Sequence, residues 1–443
     1  MRGTNNEAYL PVAVNIGPIF KRSDRDYEFL EDYKWCCVRL LISRHHLLQE
    51  PSRTPTLLRR CLDALKVLEP RIRDSYPRNM HGRLWSLTED KLLTSMLLDG
   101  CFILHRLLKY ARIARREAAA NNNSSSSSNP PATAAAAAAI DLQEEEEDGD
   151  WTLLFGRVWV WRFVMGDLLL LENQIPFFVV ETLFQQLRTD PDESSDVLVV
   201  GARRIFLSLR PQMLLSSPVA CHDVHHLLHL FYLSVGLPTT TTAAKPTLPP
   251  SELAQWVPCA RDLEEAGIKF RARKGGATSF LDVRFHRGAL EIPLLQLYDY
   301  SEPLLRNLIA FEHTCPFTPG HVTAYAIFMD CLVASPEDVR LLQLSGVLEN
   351  HLSGDRDRDA VKSFLSRLCH EVHMSAHRNY LNDVIKEVNA YQRARWPRWR
   401  AALVRNYFTN PWVATSLAAA VFLLALTMLQ TFFAAYSYFK PPN

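Results

Sequence analysis

The sequence predicts a mainly α protein: a helical globular domain with a small antiparallel β meander and one C-terminal transmembrane helix. Three observations lead to this fold class. Apolar residues recur at steps of three and four along most of the chain, which is typical of amphipathic helices. One internal stretch alternates apolar and polar residues, as strands do. The end of the chain is apolar and uncharged over a length that suits a bilayer.

Several stretches carry the helical period. One apolar stripe begins near Asp24, a second lies over 58–68, and a third, over 92–104, is apolar on nearly all sides and predicts a central helix. Ser86 with Glu89 forms a capping box ahead of that third helix. Ser335 is followed by proline and two acids, which is a strong helix start. A long helix is then expected from Val361 to beyond Val388.

The alternating stretch covers 267–294. Apolar residues such as Phe270, Val283 and Leu290 alternate there with charged ones. Gly275-Gly276 and Arg287-Gly288 supply turns, so we expect an antiparallel meander that packs on helices by one face.

The predicted organisation is a single helical domain over residues 1–405. Within it, 112–150 is a disordered low-complexity insertion and 237–250 a flexible linker, because such polar, repetitive stretches cannot offset their ordering entropy by burial. A transmembrane helix over 410–438 and a short tail, 439–443, complete the chain.

The predicted membrane span has interfacial residues on both sides. Five arginines precede it and only Lys440 follows, so the positive-inside rule places the N-terminal domain in the cytosol. With no signal peptide at the start, the expected localisation is a plasma membrane or endomembrane, as a single-pass, tail-anchored protein. The predicted membrane-interface residues are Trp396, Arg398, Trp399, Arg400, Arg405, Trp412 and Tyr436.

Composition excludes several function classes. The 443 residues are 48% hydrophobic and 22% charged, which is globular. Forty-nine Lys+Arg against 48 Asp+Glu gives a net charge of +1, so no electrostatic footprint for nucleic acid exists. Nine cysteines without a C-x-x-C pair encode neither a disulfide framework nor a zinc ribbon. Phosphate-loop, dinucleotide, hydrolase-elbow and kinase motifs are missing, so the sequence predicts no enzyme, no cofactor and no small-molecule substrate.

Short blocks in order along almost the whole chain resemble the plant family called domain of unknown function 247. They are IGP at 16–18, EDYKW at 31–35, MLLDGCFIL at 96–104, DLLLLENQIPFF at 167–178, LEEAGIKF at 263–270, LLRNLIAFE at 304–312, FMD at 328–330 and NPW at 410–412.

The resemblance implies a mostly helical, single-pass plant membrane protein without assigned chemistry. It also implies that 112–150 is an insertion within one domain. Some grass relatives act as pollen-side determinants of self-incompatibility, which is recognition and not catalysis. The family's first block usually continues into two histidines, where this chain has Ile19-Phe20-Lys21. Any role of such histidines is therefore in doubt here.

The strongest metal candidates are His222, His226 and His229. His222 with His226, and His225 with His229, are spaced i,i+4 and could share a helix face as zinc or iron ligands do. The competing interpretation is an amphipathic helix whose polar side holds histidine, because no third ligand is specified.

Two further groups have competing interpretations. His370, His373 and His377 could share a face beside Glu371, but their spacing departs from the H-E-x-x-H motif and favours a solvated helix face. The polar residues of 167–174 could provide paired carboxylates for acid–base work. The preferred interpretation is structural, with Asn173 capping a helix that begins at Phe177.

The function that the sequence favours is a membrane-anchored, non-enzymatic plant protein that acts through an unknown protein partner, in recognition or signalling such as self-incompatibility. The lipid bilayer is its other predicted partner, and nucleic acid is not one. The first alternative is a metal-dependent enzyme that uses the His222–His229 helix. The second is a scaffold whose acidic loop, within 121–148, recruits a basic partner.

Overall fold

The fold is taken from a computed structural model, which describes residues 5–20, 28–46, 54–76, 87–122, 158–209, 223–235, 256–273, 279–352, 358–372, 374, 379–394 and 411–439. The helices are α1 (Glu28–His46), α2 (Thr54–Asp74), α3 (Glu89–Asn122), α4 (Val158–Asp167), α5 (Phe177–Leu187), α6 (Asp196–Leu209), α7 (Leu227–Ser234), α8 (Ala260–Glu265), α9 (Ser301–Thr314), α10 (His321–Leu332), α11 (Pro336–Leu344), α12 (Arg358–Cys369), α13 (Asn382–Arg393) and α14 (Pro411–Phe439). The strands are β1 (Lys269–Ala272), β2 (Arg284–His286), β3 (Ala289–Ile292), β4 (Leu295–Leu297) and β5 (Leu348–Asn350).

Helix α3 is the centre of the first half of the molecule. It packs against α1, α2, α5 and α6. Its side chains from Leu92 to Ala111 are buried on several sides, as in Met96, Phe102 and Leu107. A helix without a polar face has to be surrounded by other helices, so the prediction of a central helix over 92–104 is confirmed. Ser86, its predicted cap, lies outside the described residues.

In the second half of the molecule, helices α9, α10, α11 and α12 pack against one another. Helix α11 starts as predicted: the Ser335 hydroxyl accepts the N–H of Asp338, and the Asp338 carboxylate accepts the N–H of Ser335. One hydrophobic core runs from Val14 to Val388 through both halves. The mainly helical part of the predicted fold class is what the structure shows.

The strands form two small sheets and not an antiparallel meander. Strand β3 is central in the first sheet, where β2 pairs with it antiparallel and β1 pairs with it parallel. Arg287 and Gly288, both at positive φ, form the tight hairpin turn between β2 and β3. Strand β4 pairs with the distant β5, again in parallel. The meander prediction over 267–294 is therefore wrong, because alternation identifies strands without specifying their neighbours.

Two helix boundaries also differ from expectation. The long helix from Val361 is two helices, α12 and α13, with Cys369 as the last residue of the first. Helix α3 continues to Asn122, so the first part of 112–150 is helical. The rest of that stretch, together with 237–250, lies outside the described residues.

The predicted transmembrane helix over 410–438 is contradicted. The chain does form α14 there, but its side chains are described only over 415–416 and 419–433. In the part of the chain that the structure describes, no helix has both the length and the hydropathy needed to cross a membrane. A hydrocarbon core takes about 20 helical residues, more than the longer of those two runs. The predicted single-pass membrane localisation is contradicted with it.

The closest approach of α3 and α6 gives a stability prediction. A Cβ added to Gly201 of α6 would lie 1.9 Å from the carbonyl oxygen of Leu107, a backbone atom that cannot rotate away. We expect Gly201→Ala to lower the free energy of unfolding by about 3 kcal/mol, the upper end of overpacking costs. Chemical denaturation followed by circular dichroism measures this.

The matched control is Gly166→Ala in α4, where an added Cβ meets nothing within 4 Å. There the substitution should leave stability unchanged or raise it by up to about 1 kcal/mol, through helix propensity alone. Equal effects of the two substitutions would contradict the close helix contact.

Candidate binding cleft

The connection between α4 and α5 carries three buried polar side chains. Asp167 ends α4, and Asn173 and Gln174 lie just ahead of α5; the exposed fraction of each residue is 8% or less. Buried polar groups are costly unless they are hydrogen-bonded. Each of the three has partners in another part of the chain, and most of those partners are backbone groups of residues 5–20, hereafter the N-terminal segment.

Asp167 binds the N-terminal segment through consecutive backbone amides. Its Oδ2 accepts the N–H groups of Val12, Ala13 and Val14 at 3.1, 2.6 and 2.8 Å, and Oδ1 also accepts that of Val12. Burial raises the pKa of Asp167 to about 6, although the three backbone bonds act in the opposite direction. Because the carboxylate is occupied by these bonds, it positions backbone and is not placed for acid–base work.

Asn173 continues the same contact. Its Oδ1 accepts the Ile16 N–H at 2.7 Å, and its Nδ2 donates to the Val14 carbonyl at 2.9 Å. The prediction that Asn173 caps α5 is wrong. Pro176 directly precedes that helix, and the N–H of Phe177 donates to the carbonyl of His225. These side chains do have a structural role, as preferred, but a different one from capping. Asp167 and Asn173 form hydrogen bonds with the backbone of the N-terminal segment.

A buried ion pair holds the next part of the N-terminal segment. Lys34 Nζ lies 2.6 Å from Asp99 Oδ1 and donates to the Asn15 carbonyl, also at 2.6 Å. The other oxygen of Asp99 accepts the N–H of Gly17 at 2.9 Å. Gly17 has φ of +74°, and a Cβ there would lie 2.6 Å from the Gln174 carbonyl oxygen, so only glycine fits this close crossing.

A cleft of about 860 Å³ opens beside this crossing. This volume is within the range of ligand sites in proteins. Its apolar lining consists of Ile19, Leu171, Ile175, Pro176, Phe178 and Val224. Its polar lining consists of Arg71, Ser75, Tyr76, Glu172, Gln174, Glu181, His225, His226 and Thr314. The cleft thus joins the end of α2, the start of α5, the approach to α7 and the N-terminal segment.

Arg71 and Phe178 form a stacked pair on one wall. The guanidinium carbon lies 4.0 Å from the centre of the Phe178 ring, a cation–π contact worth about 0.5–1 kcal/mol at an exposed site. Arg71 is in the last turn of α2, where the helix dipole favours a cation. This contact holds the guanidinium over an apolar surface, and none of the described residues accepts a hydrogen bond from its N–H groups.

The histidines on the opposite side are helix-capping groups. Helix α7 begins at Leu227, so His225 and His226 precede it, and the prediction of a helix over His222–His229 is wrong at its start. His226 Nδ1 accepts the N–H of His229, and His229 Nδ1 accepts the N–H of His225, each at 3.1 Å. His222 lies outside the described residues.

Burial keeps both capping imidazoles neutral. It lowers the pKa of His226 to about 3 and that of His229 to about 4, and the neighbouring histidines add to the effect. Each Nδ1 lone pair is already used by a backbone N–H, which assigns the proton to Nε2. Within the described ranges, no three His, Cys, Asp or Glu side chains are grouped to hold a metal ion. His226 and His229 therefore lack support as metal ligands.

Of the other sequence candidates, those that the structure describes do not line the cleft. His370 and Glu371 follow the end of α12, and Glu371 has positive φ, so they share no helix face. His373 and His377 are outside the described residues, as are Trp396, Arg398, Trp399, Arg400 and Arg405. Trp412 and Tyr436 belong to α14 at positions whose side chains are not described. The prediction that these residues lie at a membrane interface depended on the predicted membrane span, which is contradicted.

Sequence reasoning missed Arg71, which lines the cleft, and the Lys34–Asp99 ion pair, which holds the N-terminal segment. A signal was present for the last two: each is a charged residue inside an otherwise apolar helical stripe, which requires a buried partner. Arg71 gave no such signal, because an arginine at a helix end is normally an exposed charge.

Comparison with known proteins agrees with the resemblance seen in the sequence blocks. The model of the family described as plant protein of unknown function, domain of unknown function 247, matches residues 1–426. The chain belongs to this family. Its match includes both the N-terminal segment and every described element that lines the cleft.

Two Arabidopsis thaliana proteins are similar to the chain. UPF0481 protein At3g47200 is 27% identical, over 98% of this chain and 84% of its own length. Putative UPF0481 protein At3g02645 is 31% identical over 41% of this chain and 34% of its own length. No solved structure matches the chain.

The role of Asp167 can be measured as stability. Asp167→Ala should lower the free energy of unfolding by about 3 kcal/mol, because it leaves the buried N–H of Val14 and the partly buried N–H groups of Val12 and Ala13 without their acceptor. Asp167→Asn should cost about 1 kcal/mol, since an amide oxygen at the Oδ2 position accepts the same three groups. Urea denaturation at pH 7 gives both values, with Asp63→Ala, an exposed position on α2, expected to stay within about 0.5 kcal/mol.

The pH profile separates the two variants further. Because the folded pKa of Asp167 is about 6, above its ordinary value of 3.8, the folded chain holds this proton more tightly than the unfolded chain does. The part of the stability that comes from the proton is fully present below pH 3.8 and is lost as the pH rises through 6, whereas the hydrogen bonds to the N-terminal segment remain at pH 7. Asp167→Asn should lack this decline. If Asp167→Ala destabilises no more than Asp63→Ala, the carboxylate does not anchor the segment.

The capping role of His226 predicts a different pH dependence. Its lowered pKa means that the unfolded chain binds more protons below pH 6.5, so stability is present above that pH and is lost as the pH falls toward 3. The slope from this group approaches about 1.4 kcal/mol per pH unit. His226→Asn keeps a good cap that cannot titrate, so its stability should fall less steeply below pH 6.5.

His226→Ala serves as the control that loses the cap as well. It should cost about 1 kcal/mol more than His226→Asn at pH 7 and show the same flatter profile. Denaturation curves at pH 7.5, 6, 5 and 4.5 distinguish these cases. Parallel profiles for the wild type and both variants would show that His226 is not buried as a neutral cap.

Proposed function

We propose that this plant protein acts by binding another protein in its cleft and has no catalytic role. The observation that carries this proposal is the cleft itself: a largely apolar surface, rimmed by a few charges, with Arg71 stacked on Phe178. Sites of this composition are typical of binding, since apolar area supplies affinity and a few polar groups fix orientation. Aromatic and arginine side chains are also the groups that dominate protein interfaces.

Three titratable groups in or near the cleft are hydrogen-bonded to backbone N–H groups, which argues against a catalytic role for them. His226 and His229 each use one ring nitrogen on a backbone N–H, and Asp167 uses its carboxylate on three. A general base needs a free lone pair within reach of its substrate. Among the described residues, these groups serve the fold, and no observation favours the metal-dependent alternative.

The proposed role is recognition. The printed names of the Arabidopsis relatives mention no activity, substrate or partner, and a role in self-incompatibility stays a prediction. The net charge of +1 favours a protein partner over nucleic acid. The scaffold alternative stays a prediction too, because most of 121–148 lies outside the described residues.

Affinity capture with matched variants tests the proposal. The full chain should retain a protein from plant extract, and Phe178→Ala should reduce the retained amount at least about tenfold, because it removes the apolar wall under Arg71. Leu344→Ala, an equally apolar change at a side chain 77% exposed and outside the cleft, should leave capture unchanged.

Circular dichroism must first show that both variants fold as the wild type does. A set of captured proteins that is identical for the wild type and Phe178→Ala would contradict the cleft as the binding site. A chain that retains no protein at all would contradict the proposed function.

A further inference from the structure

Two charged groups in the cleft stand out because neither of them forms an ion pair with a residue that the structure describes. Among the residues that the structure describes, no carboxylate lies within ion-pair distance of the Arg71 guanidinium, and no cation lies within that distance of Glu181. Arg71 is exposed and Glu181 half-buried. Both line the cleft, so an occupant would meet one free cation and one free carboxylate.

The two charges belong to the same wall of the cleft. Arg71 lies over the ring of Phe178, and Phe178 and Glu181 are spaced i,i+3 on α5, which puts them on the same helix face about 5–6 Å apart. This wall of the cleft therefore presents a positive and a negative group, both beside the apolar ring of Phe178.

Most other polar groups of the cleft are already bonded within the chain. The Gln174 amide donates to the carbonyls of Leu168 and Leu170 and accepts the Leu228 N–H. The Ser75 hydroxyl donates to the carbonyl of Arg71, and the Thr314 hydroxyl donates to its own helix. Charge recognition in the cleft is thus left chiefly to Arg71 and Glu181.

We propose that the cleft takes an extended segment of a partner protein that presents an acidic and a basic side chain on one side, the acid on Arg71 and the base on Glu181. This rests on the proposed function and names the chemistry of its partner. In an extended chain, side chains two residues apart point the same way, about 6–7 Å apart, so one segment can present an acidic and a basic side chain to the same wall of the cleft. The apolar floor takes a further side chain on the same side.

The geometry favours a peptide over a small zwitterion. A cleft of about 860 Å³ is near the upper end of the range for small-molecule sites. Arg71 is exposed on α2 and Glu181 is half-buried on α5, so the side chains of a docked segment can reach both. A planar guanidinium held flat on a ring is suited to a bidentate carboxylate contact, with its N–H groups at the edge.

Two blocked heptapeptides test the charge assignment. One is Ser-Glu-Ser-Lys-Ser-Leu-Ser and the other exchanges its Glu and Lys, so that the leucine lies beyond the cation in one peptide and beyond the anion in the other. The full chain should bind one of them about threefold to tenfold more tightly, as expected for charge pairs at a partly exposed site. Fluorescence anisotropy of labelled peptides measures both affinities.

Exchanging the charges of the protein provides the decisive comparison. The double variant R71E/E181K keeps the net charge and should invert the preference, so that the weaker peptide becomes the tighter one. R340E, a charge reversal at an exposed position of α11 outside the cleft, should preserve the wild-type preference. Equal affinity for both peptides, or a preference that the double variant retains, would overturn the proposal.

The capture experiment distinguishes a failure of this proposal from a failure of the proposed function. If capture depends on Phe178 while R71E/E181K captures as well as the wild type, the charge assignment fails and the binding function stands. If Phe178→Ala has no effect on capture, the binding function fails as well. Thermal melts of R71E/E181K and R340E that match the wild type exclude misfolding as the cause of either result.

Discussion

The architecture depends on two buried aspartates, Asp167 and Asp99. Their carboxylates bind the backbone of the N-terminal segment, which belongs to no β-sheet. Asp167 accepts three consecutive N–H groups of the N-terminal segment, and Asp99 accepts a fourth while paired with Lys34. Backbone N–H groups left unbonded in a protein interior each cost about 1–3 kcal/mol. The carboxylates accept these N–H groups, and Val14 and Ile16 can then be fully buried as part of the hydrophobic core.

The cleft is a consequence of this arrangement. Holding the N-terminal segment against residues 173–174 places Ile19 at the edge of the cleft, opposite the end of α2. The buried side chains of Asp167, Asn173 and Gln174 are hydrogen-bonded to backbone groups, whereas Arg71 and Glu181 line the cleft without an ion-pair partner among the described residues. The division is between inner groups that maintain the fold and outer groups that are open to a partner.

Sequence periodicity predicted the helices well, because burial of one face requires apolar residues at fixed steps. It predicted the α11 cap for the same local reason. It failed where the partner is distant in the chain. Nothing near β1 indicates a parallel partner in β3, and Asn173 looks like a helix cap until the contact with Ile16 is known. The histidine pattern misled because spacing alone does not reveal that α7 starts only at Leu227.

The N-terminal segment also constrains the order in which the molecule can form. The residues that bind it come much later in the chain: Asp167 lies 155 positions after Val12, and Asn307, which donates to the Ala8 carbonyl, lies 299 positions after it. Ribosomes add about 5–20 residues per second. The first stretch to be synthesised therefore waits many seconds for its acceptors, and stays accessible to chaperones and proteases until they emerge.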